Sequence, residues 1–182
     1  MRYSLIREMD ISNGTGIGIS LFVQGCHFHC DGCFNQETWD FNGGKEWNKQ
    51  IENKFLALAD KEFIERVSIL GGEPLSNENV VEVYQLVTRI RKEHPNKKIW
   101  LYTGYTWEEL NKPKKKLFNK DAGFYNNLRM LTIQQADVLC EGRFVKAKQD
   151  LYNEYSPWVG STNQRVIKPY DSLINKRVVL FQ

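Results

Sequence analysis

Residues 17–33 read IGISLFVQGCHFHCDGC, a mostly apolar, alternating run that ends at Gln24-Gly25 and opens straight into a loop bearing three cysteines. The run has the length and pattern of a β-strand, and the glycine marks its end. Cys26, Cys30 and Cys33 therefore begin at a strand's carboxyl end. Three thiols within eight positions cannot pair off internally, and in a reducing compartment such a cluster points to a metal rather than to disulfides.

Outward from this loop, Trp47, Ile51, Phe55 and Leu58 recur at the spacing of an amphipathic helix over residues 47–58. Residues 66–70 (RVSIL) form the next expected strand, closed by Gly71-Gly72. Ser76 is the expected cap of a helix with Val80, Val83, Tyr84, Val87 and Ile90 on its inner face, stopped at His94-Pro95-Asn96. Residues 98–102 (KIWLY) make a third strand ending at Thr103-Gly104, and residues 106–110 start a third helix. Residues 111–127 dissolve into turn formers and lysines, which read as a surface loop or a broken helix. A weak helix over 131–135, a strand over 136–140 and a last strand over 178–181 complete the pattern. The order βαβαβα predicts an α/β fold with a mostly parallel sheet or partial barrel, its sites at the carboxyl ends of the strands.

At 182 residues and 41% hydrophobic, the chain is long and apolar enough for one core, so a single domain over residues 1–182 is expected. Its 25 basic and 22 acidic residues leave +3, too mild a charge to call for nucleic acid or an anionic membrane. The N-terminus lacks an apolar signal core, and no segment approaches the length of a membrane helix. The expectation is a cytoplasmic protein with neither a membrane nor a nucleic-acid partner.

The cysteines follow the form C-x3-C-x2-C. Three thiolates can hold three irons of a cubane and leave the fourth open, where a ligand carrying an amine and a carboxylate can chelate; a cluster that only carries electrons usually takes four cysteines. Zinc is the competing reading, with His27 or His29 as fourth ligand, and on these eight residues both stay open. Two other strand ends bear on the choice. Gly71-Gly72-Glu73 offers close backbone approach and a carboxylate for an ammonium group, and Thr103-Gly104 follows the third strand. Each alone is a strand-to-helix turn; three at successive strand ends converge on one pocket.

C-x3-C-x2-C followed by GGE resembles the pattern of the radical S-adenosylmethionine superfamily. In detail the chain is similar to the activating enzymes of anaerobic (class III) ribonucleoside-triphosphate reductases, a likeness carried by residues 21–35 (LFVQGCHFHCDGCFN), Thr38-Trp39, 70–75 (LGGEPL), 99–105 (IWLYTGY), 137–144 (DVLCEGRF) and 158–167 (WVGSTNQRVI). The resemblance implies a compact partial (βα) barrel in which Cys26, Cys30 and Cys33 ligate a 4Fe-4S cluster. It implies that Gly71, Gly72 and Glu73 bind the methionine amino group of S-adenosyl-L-methionine, that Thr103 contacts its carboxylate or ribose, and that Phe34 and Asn35 line the adenosine side. It further implies reductive cleavage of S-adenosyl-L-methionine to a 5′-deoxyadenosyl radical, which creates a glycyl radical on the reductase, with the electron from an external one-electron donor such as flavodoxin. No protein acid or base is required, so no catalytic side chain is assigned. Two departures stand out: the position before the last cysteine, often aromatic in the superfamily, is Gly32, and residues 111–127 are long for so compact a family. The alternatives are an activase of a different glycyl-radical enzyme, a radical enzyme with a small-molecule substrate or, in another class, a zinc-binding interaction module.

The remaining motifs read as structural. Residues 13–18 (NGTGIG) precede a strand instead of following one, which suits a turn and not a dinucleotide loop. Cys140 sits among apolar residues as a buried thiol. Lys112, Lys114, Lys115, Lys116 and Lys120 read as a solvated loop. The tryptophans read as core or rim, Trp39 being near enough to the cysteine loop to shield it.

Overall fold

The computed structural model describes residues 1–111, 120–152 and 154–182, the side chains of 120–122 excepted. The elements run β1 (Arg2–Asp10), β2 (Gly18–Val23), β3 (Lys45–Glu46), α1 (Lys49–Ala59), β4 (Arg66–Gly71), α2 (Val80–Glu93), β5 (Lys98–Thr103), α3 (Trp107–Leu110), α4 (Lys120–Ile133), β6 (Val138–Glu141), β7 (Arg165–Ile167) and α5 (Pro169–Ile174). One mixed α/β sheet has the order β3-β1-β2-β4-β5-β6-β7. Its central strands β2, β4, β5 and β6 are parallel, and β1 and β7 flank them antiparallel.

Strand alternation divides the side chains between two faces. On the helix-covered face Ile19, Leu21, Val23, Val67, Ile69, Ile99, Leu101 and Leu139 pack against Phe55, Leu56, Val83, Leu86, Val87, Ile90 and Ile133. Those helix residues recur at three- and four-residue spacing, so α1 and α2 bury an apolar stripe on the sheet. The other face carries Ser20, Arg66, Ser68, Trp100, Tyr102 and Cys140 and is covered by Trp158, Val159 and Phe181. Of residues 13–18, expected as a turn, 13–17 form bends laid over this inner face, where the Asn13 carbonyl accepts from Ser68 Oγ at 2.6 Å and the Thr15 carbonyl from Arg66 Nε at 3.1 Å, and Gly18 begins β2.

The expected central βαβ order is present, and the differences have physical causes. β1 was not expected: its pairing to β2 shifts register between Tyr3 and Leu5 and again between Arg7 and Asp10, and such bulges break the two-residue period that betrays a strand. Ser76 does not cap α2. The N-cap is Asn79, whose side chain instead donates to the Gln24 and Glu73 carbonyls, and the buried Ser76 begins the preceding turn, its carbonyl accepting from Asn79 N–H. The first helix starts at Lys49, capped by Asn48; Trp47 lies before it, edge-on to Tyr3 and Phe55. Of residues 111–127, residues 120–127 belong to α4, which runs on to Ile133 in place of the short helix expected at 131–135. Lys112, Lys114, Lys115, Lys116 and the Lys120 side chain lie outside the described residues. In place of a strand at 178–181 there is one bridge, between Ile167 and Leu180, and the antiparallel edge is β7.

Candidate metal centre

β2 ends at Val23, and the chain crosses Gln24-Gly25 into Cys26. Backbone bonds fix the start of the loop: Gly25 N–H donates to the Thr38 carbonyl at 2.7 Å and Cys26 N–H to the Trp39 carbonyl at 3.0 Å. Cys33 N–H closes a turn on the Cys30 carbonyl at 3.0 Å, and Asn35 N–H approaches Cys33 Sγ at 3.4 Å. Cys26 is buried, and Cys30 and Cys33 are partly buried.

The segment after β4 is tied to this loop main chain to main chain. Gly72 N–H donates to the Val23 carbonyl at 2.9 Å and Glu73 N–H to the Gly25 carbonyl at 2.7 Å. A Cβ on Gly72 would collide with the Gly25 carbonyl oxygen, so only glycine permits this approach. The close contact foreseen for a ligand is in the first place a contact with the cysteine loop.

Glu73 is 2% exposed. Its Oε1 accepts from Leu75 N–H and Thr103 Oγ1, both at 2.8 Å, and its Oε2 from Gly104 N–H at 2.7 Å. Burial pushes this carboxyl up to about 7 against those donors and the nearby Arg129 charge. A carboxylate offers about four acceptor positions, so Glu73 spends most of its capacity bracing the loop after β4 to the loop after β5. Thr103 is spent in the same way, since its hydroxyl also accepts from Tyr105 N–H at 3.1 Å.

All nine sequence-derived candidates, Cys26, Cys30, Cys33, Gly71, Gly72, Glu73, Thr103, Phe34 and Asn35, line one cavity of about 430 Å³, a size that suits a cofactor-scale ligand. Phe34 is 64% exposed and leans on Phe144, with ring centroids 5.1 Å apart. The cavity extends over the inner sheet face to Phe22, Tyr102, Cys140 and Trp158. Cys140 is buried, as expected, and burial raises its thiol strongly.

The two histidines have other partners. His27 Nε2 lies 2.9 Å from Glu78 and its ring rests on Phe41, while His29 stacks on Trp39 with centroids 4.6 Å apart. Among the described residues no three His, Cys, Asp or Glu side chains are placed to hold a single metal ion. A zinc site needs its ligands about one centre, whereas a cubane takes each thiolate on a different iron.

The thiols fit a strongly positive guest. Burial pushes Cys26 up to about 11, with Glu73 and Cys30 adding repulsion against the amides of Phe28 and His29. Burial and then Cys33 raise Cys30. Thiolates so crowded require cationic charge among them, and metal loading would release protons.

Sequence reasoning gave no role to Arg143 and Phe144, which line the cavity from the loop after β6. Their signal was the GRF that follows a strand end, as GGE follows another.

The family described as a 4Fe-4S single cluster domain matches residues 12–167. The anaerobic ribonucleoside-triphosphate reductase-activating protein of Salmonella typhi is 38% identical over 168 residues, 91% of this chain and 97% of the relative. That of Escherichia coli strain K12 is 37% identical over the same length and shares. The protein of the same description from Enterobacteria phage T4 is 31% identical over 166 residues, 91% and 93% of the two chains. With a cluster-domain match over most of its length and relatives of one description covering nine-tenths of it, the chain belongs to the family of anaerobic ribonucleoside-triphosphate reductase-activating proteins.

Proposed function

We propose that this protein activates an anaerobic ribonucleoside-triphosphate reductase by generating a glycyl radical on its glycyl-radical subunit. Cys26, Cys30 and Cys33 hold a 4Fe-4S cluster, and S-adenosyl-L-methionine binds beside it against Gly71, Gly72 and Glu73. Reduced by an external donor such as flavodoxin, the bound cluster and S-adenosyl-L-methionine supply reductive carbon–sulfur bond cleavage and, through it, removal of a glycine Cα hydrogen. The rest is positioning and exclusion of water and oxygen.

The observation that carries this reading is the joining of the cysteine loop to the GGE segment by Glu73 N–H on the Gly25 carbonyl, in the wall of a cavity that all nine candidates share. Because the Glu73 carboxylate braces the loops, the amino group of the ligand is met by the main chain of Gly71 and Gly72 together with the remaining acceptor position of Glu73. Thr103 acts by holding Glu73. Phe34 and Asn35 border the adenosine side, and Phe28 and Trp39, both in the cavity wall, limit access of water. We read the inner face, covered by residues 13–17 and by Trp158 and Phe181, as the interior of a partial barrel within a single domain spanning residues 1–182. No described helix is long and apolar enough to cross a membrane, and we assign the protein to the cytoplasm without a nucleic-acid partner.

The test is anaerobic reconstitution with iron and sulfide, then mixing with the reductase, S-adenosyl-L-methionine and reductant. The reductase should acquire the electron paramagnetic resonance doublet of a glycyl radical, and Cys30→Ala should abolish both the cluster absorbance and the doublet. A doublet of full size from Cys30→Ala would remove the triad from the mechanism.

A further inference from the structure

We propose that Arg143 is a fixed positive charge that makes the cluster held by Cys26, Cys30 and Cys33 easier to reduce, an inference that rests on the assignment of those cysteines as its ligands. Arg143 follows β6 and reaches the cysteine loop from a distant part of the chain. Its Cζ lies 4.3 Å from the ring centroid of Phe28, which stands between Cys26 and Cys30 in sequence. Glu109 grips the same guanidinium: Nη1 donates to both carboxylate oxygens at 3.1 Å and Nη2 to Oε1 at 3.0 Å. Arg143, Phe28 and Cys30 line one cavity wall.

A guanidinium gripped this way keeps its place. Its stacking on an aromatic face adds attraction at short range. Cys26 and Cys33 line the same cavity as Arg143. The residue after Arg143, Phe144, packs on Phe34 and lines that cavity too. The loop after β6 thus brings one cation to the cavity that the triad lines.

The electrostatic consequence has a definite sign. Three thiolates on a cubane carry net negative charge, and an added electron makes it more negative in a partly buried place where charge interactions are strong. Nearby cations and amide donors to the sulfurs favour the more negative state and so raise the reduction potential, a recognised lever on such clusters. Arg143 makes no bond to the reacting atoms and acts only through its field.

The experiment is an anaerobic redox titration of the reconstituted protein, read from cluster absorbance and electron paramagnetic resonance at matched iron and sulfide content. Arg143→Gln and Arg143→Met remove the charge, the second keeping an apolar stem over Phe28, so that either one suffices if the other assembles poorly. Both should be harder to reduce by about tenfold in the equilibrium constant, about 59 mV for one electron. Arg143→Lys keeps the charge and should titrate close to the unchanged protein. Neutral variants with an unmoved midpoint would overturn the inference, as would a Lys variant displaced as far as Gln. So would a midpoint unmoved in all three while S-adenosyl-L-methionine affinity falls, which would mean that Arg143 addresses the ligand instead. An unchanged protein that takes up no iron and sulfide would defeat the underlying cluster assignment itself.

Discussion

The two faces of the sheet solve opposite problems. The helix-covered face is uniformly apolar, with Val67, Ile69, Ile99 and Leu101 fully buried against α1, α2 and α4, and it stabilises the fold by removing area from water. The inner face buries Arg66 completely, together with Asp10, Ser20 and Ser68. Each of these groups must be matched or it costs free energy. Arg66 donates to the Asp10 carbonyl and to Ser68 Oγ, each at 2.7 Å, and stands 3.6 Å from the Asp10 carboxylate. The comparison teaches that one face supplies stability while the other holds its buried polar groups only by matching each to a partner.

The largest effect that would sharpen this contrast comes from Asp10→Ala. Although burial opposes it, Asp10 is held below the usual carboxylate range by Ser20, by the Asn13 side chain and by the amides of Ser12 and Asn13. Removing it strands a buried guanidinium and four donors at once. The expected loss is about 3–5 kcal/mol by urea denaturation, because an unpaired buried charge costs more than the pair contributed. The double variant Asp10→Ala/Arg66→Met should recover much of it. No recovery would mean that Asp10 matters for the 12–13 turn rather than for the charge.

Next in size is a pH effect from the wall of the site. Glu73 has a folded pKa of about 7 against an ordinary 4.5. A raised carboxyl pKa means that the folded protein holds its proton more tightly than the unfolded chain, so stability falls as pH rises from about 4.5 to 7 and levels off above. At 1.36 kcal/mol per unit the full excursion is at most about 3 kcal/mol. The carboxyls held below their ordinary values, Asp10, Glu52 and Glu78 among them, titrate beneath this window and do not mask it. Urea midpoints of the cluster-free protein should therefore decline between pH 5 and pH 8, and Glu73→Gln should reduce the slope, leaving the part contributed by Glu141, which burial also raises. An equal slope in both proteins would show that Glu73 is ionised throughout.

How far such features were legible in the chain follows from where their partners lie. The parallel strands β2, β4 and β5 could be read because each pairs in unbroken register and ends in glycine or Thr-Gly. The same regularity led to the cavity, since residues at adjacent parallel strand ends must be neighbours. β1 was hidden by its register shifts and β7 by its length of three residues. The brace made by Glu73 was hidden for another reason: two of its three donors are backbone amides, which every sequence carries. Arg143 meets Glu109 and Phe28 at separations of 34 and 115 positions, and no local pattern announces such a meeting.

The smallest expected effect tests the inner face where its matching of polar groups is least complete. The Tyr102 hydroxyl is buried and forms no well-made hydrogen bond, although the Cys140 thiol is close enough for the two to perturb each other's ionisation. A buried donor left unmatched bears a desolvation cost that an apolar group of the same shape does not. Tyr102→Phe keeps the ring beside Trp100 and Cys140 and removes only the oxygen, so unfolding free energy should stay unchanged or rise by up to about 1 kcal/mol. A loss of that size would instead identify the contact with Cys140 as a true hydrogen bond, and Trp100 Nε1 would then be the buried polar atom left unmatched on β5.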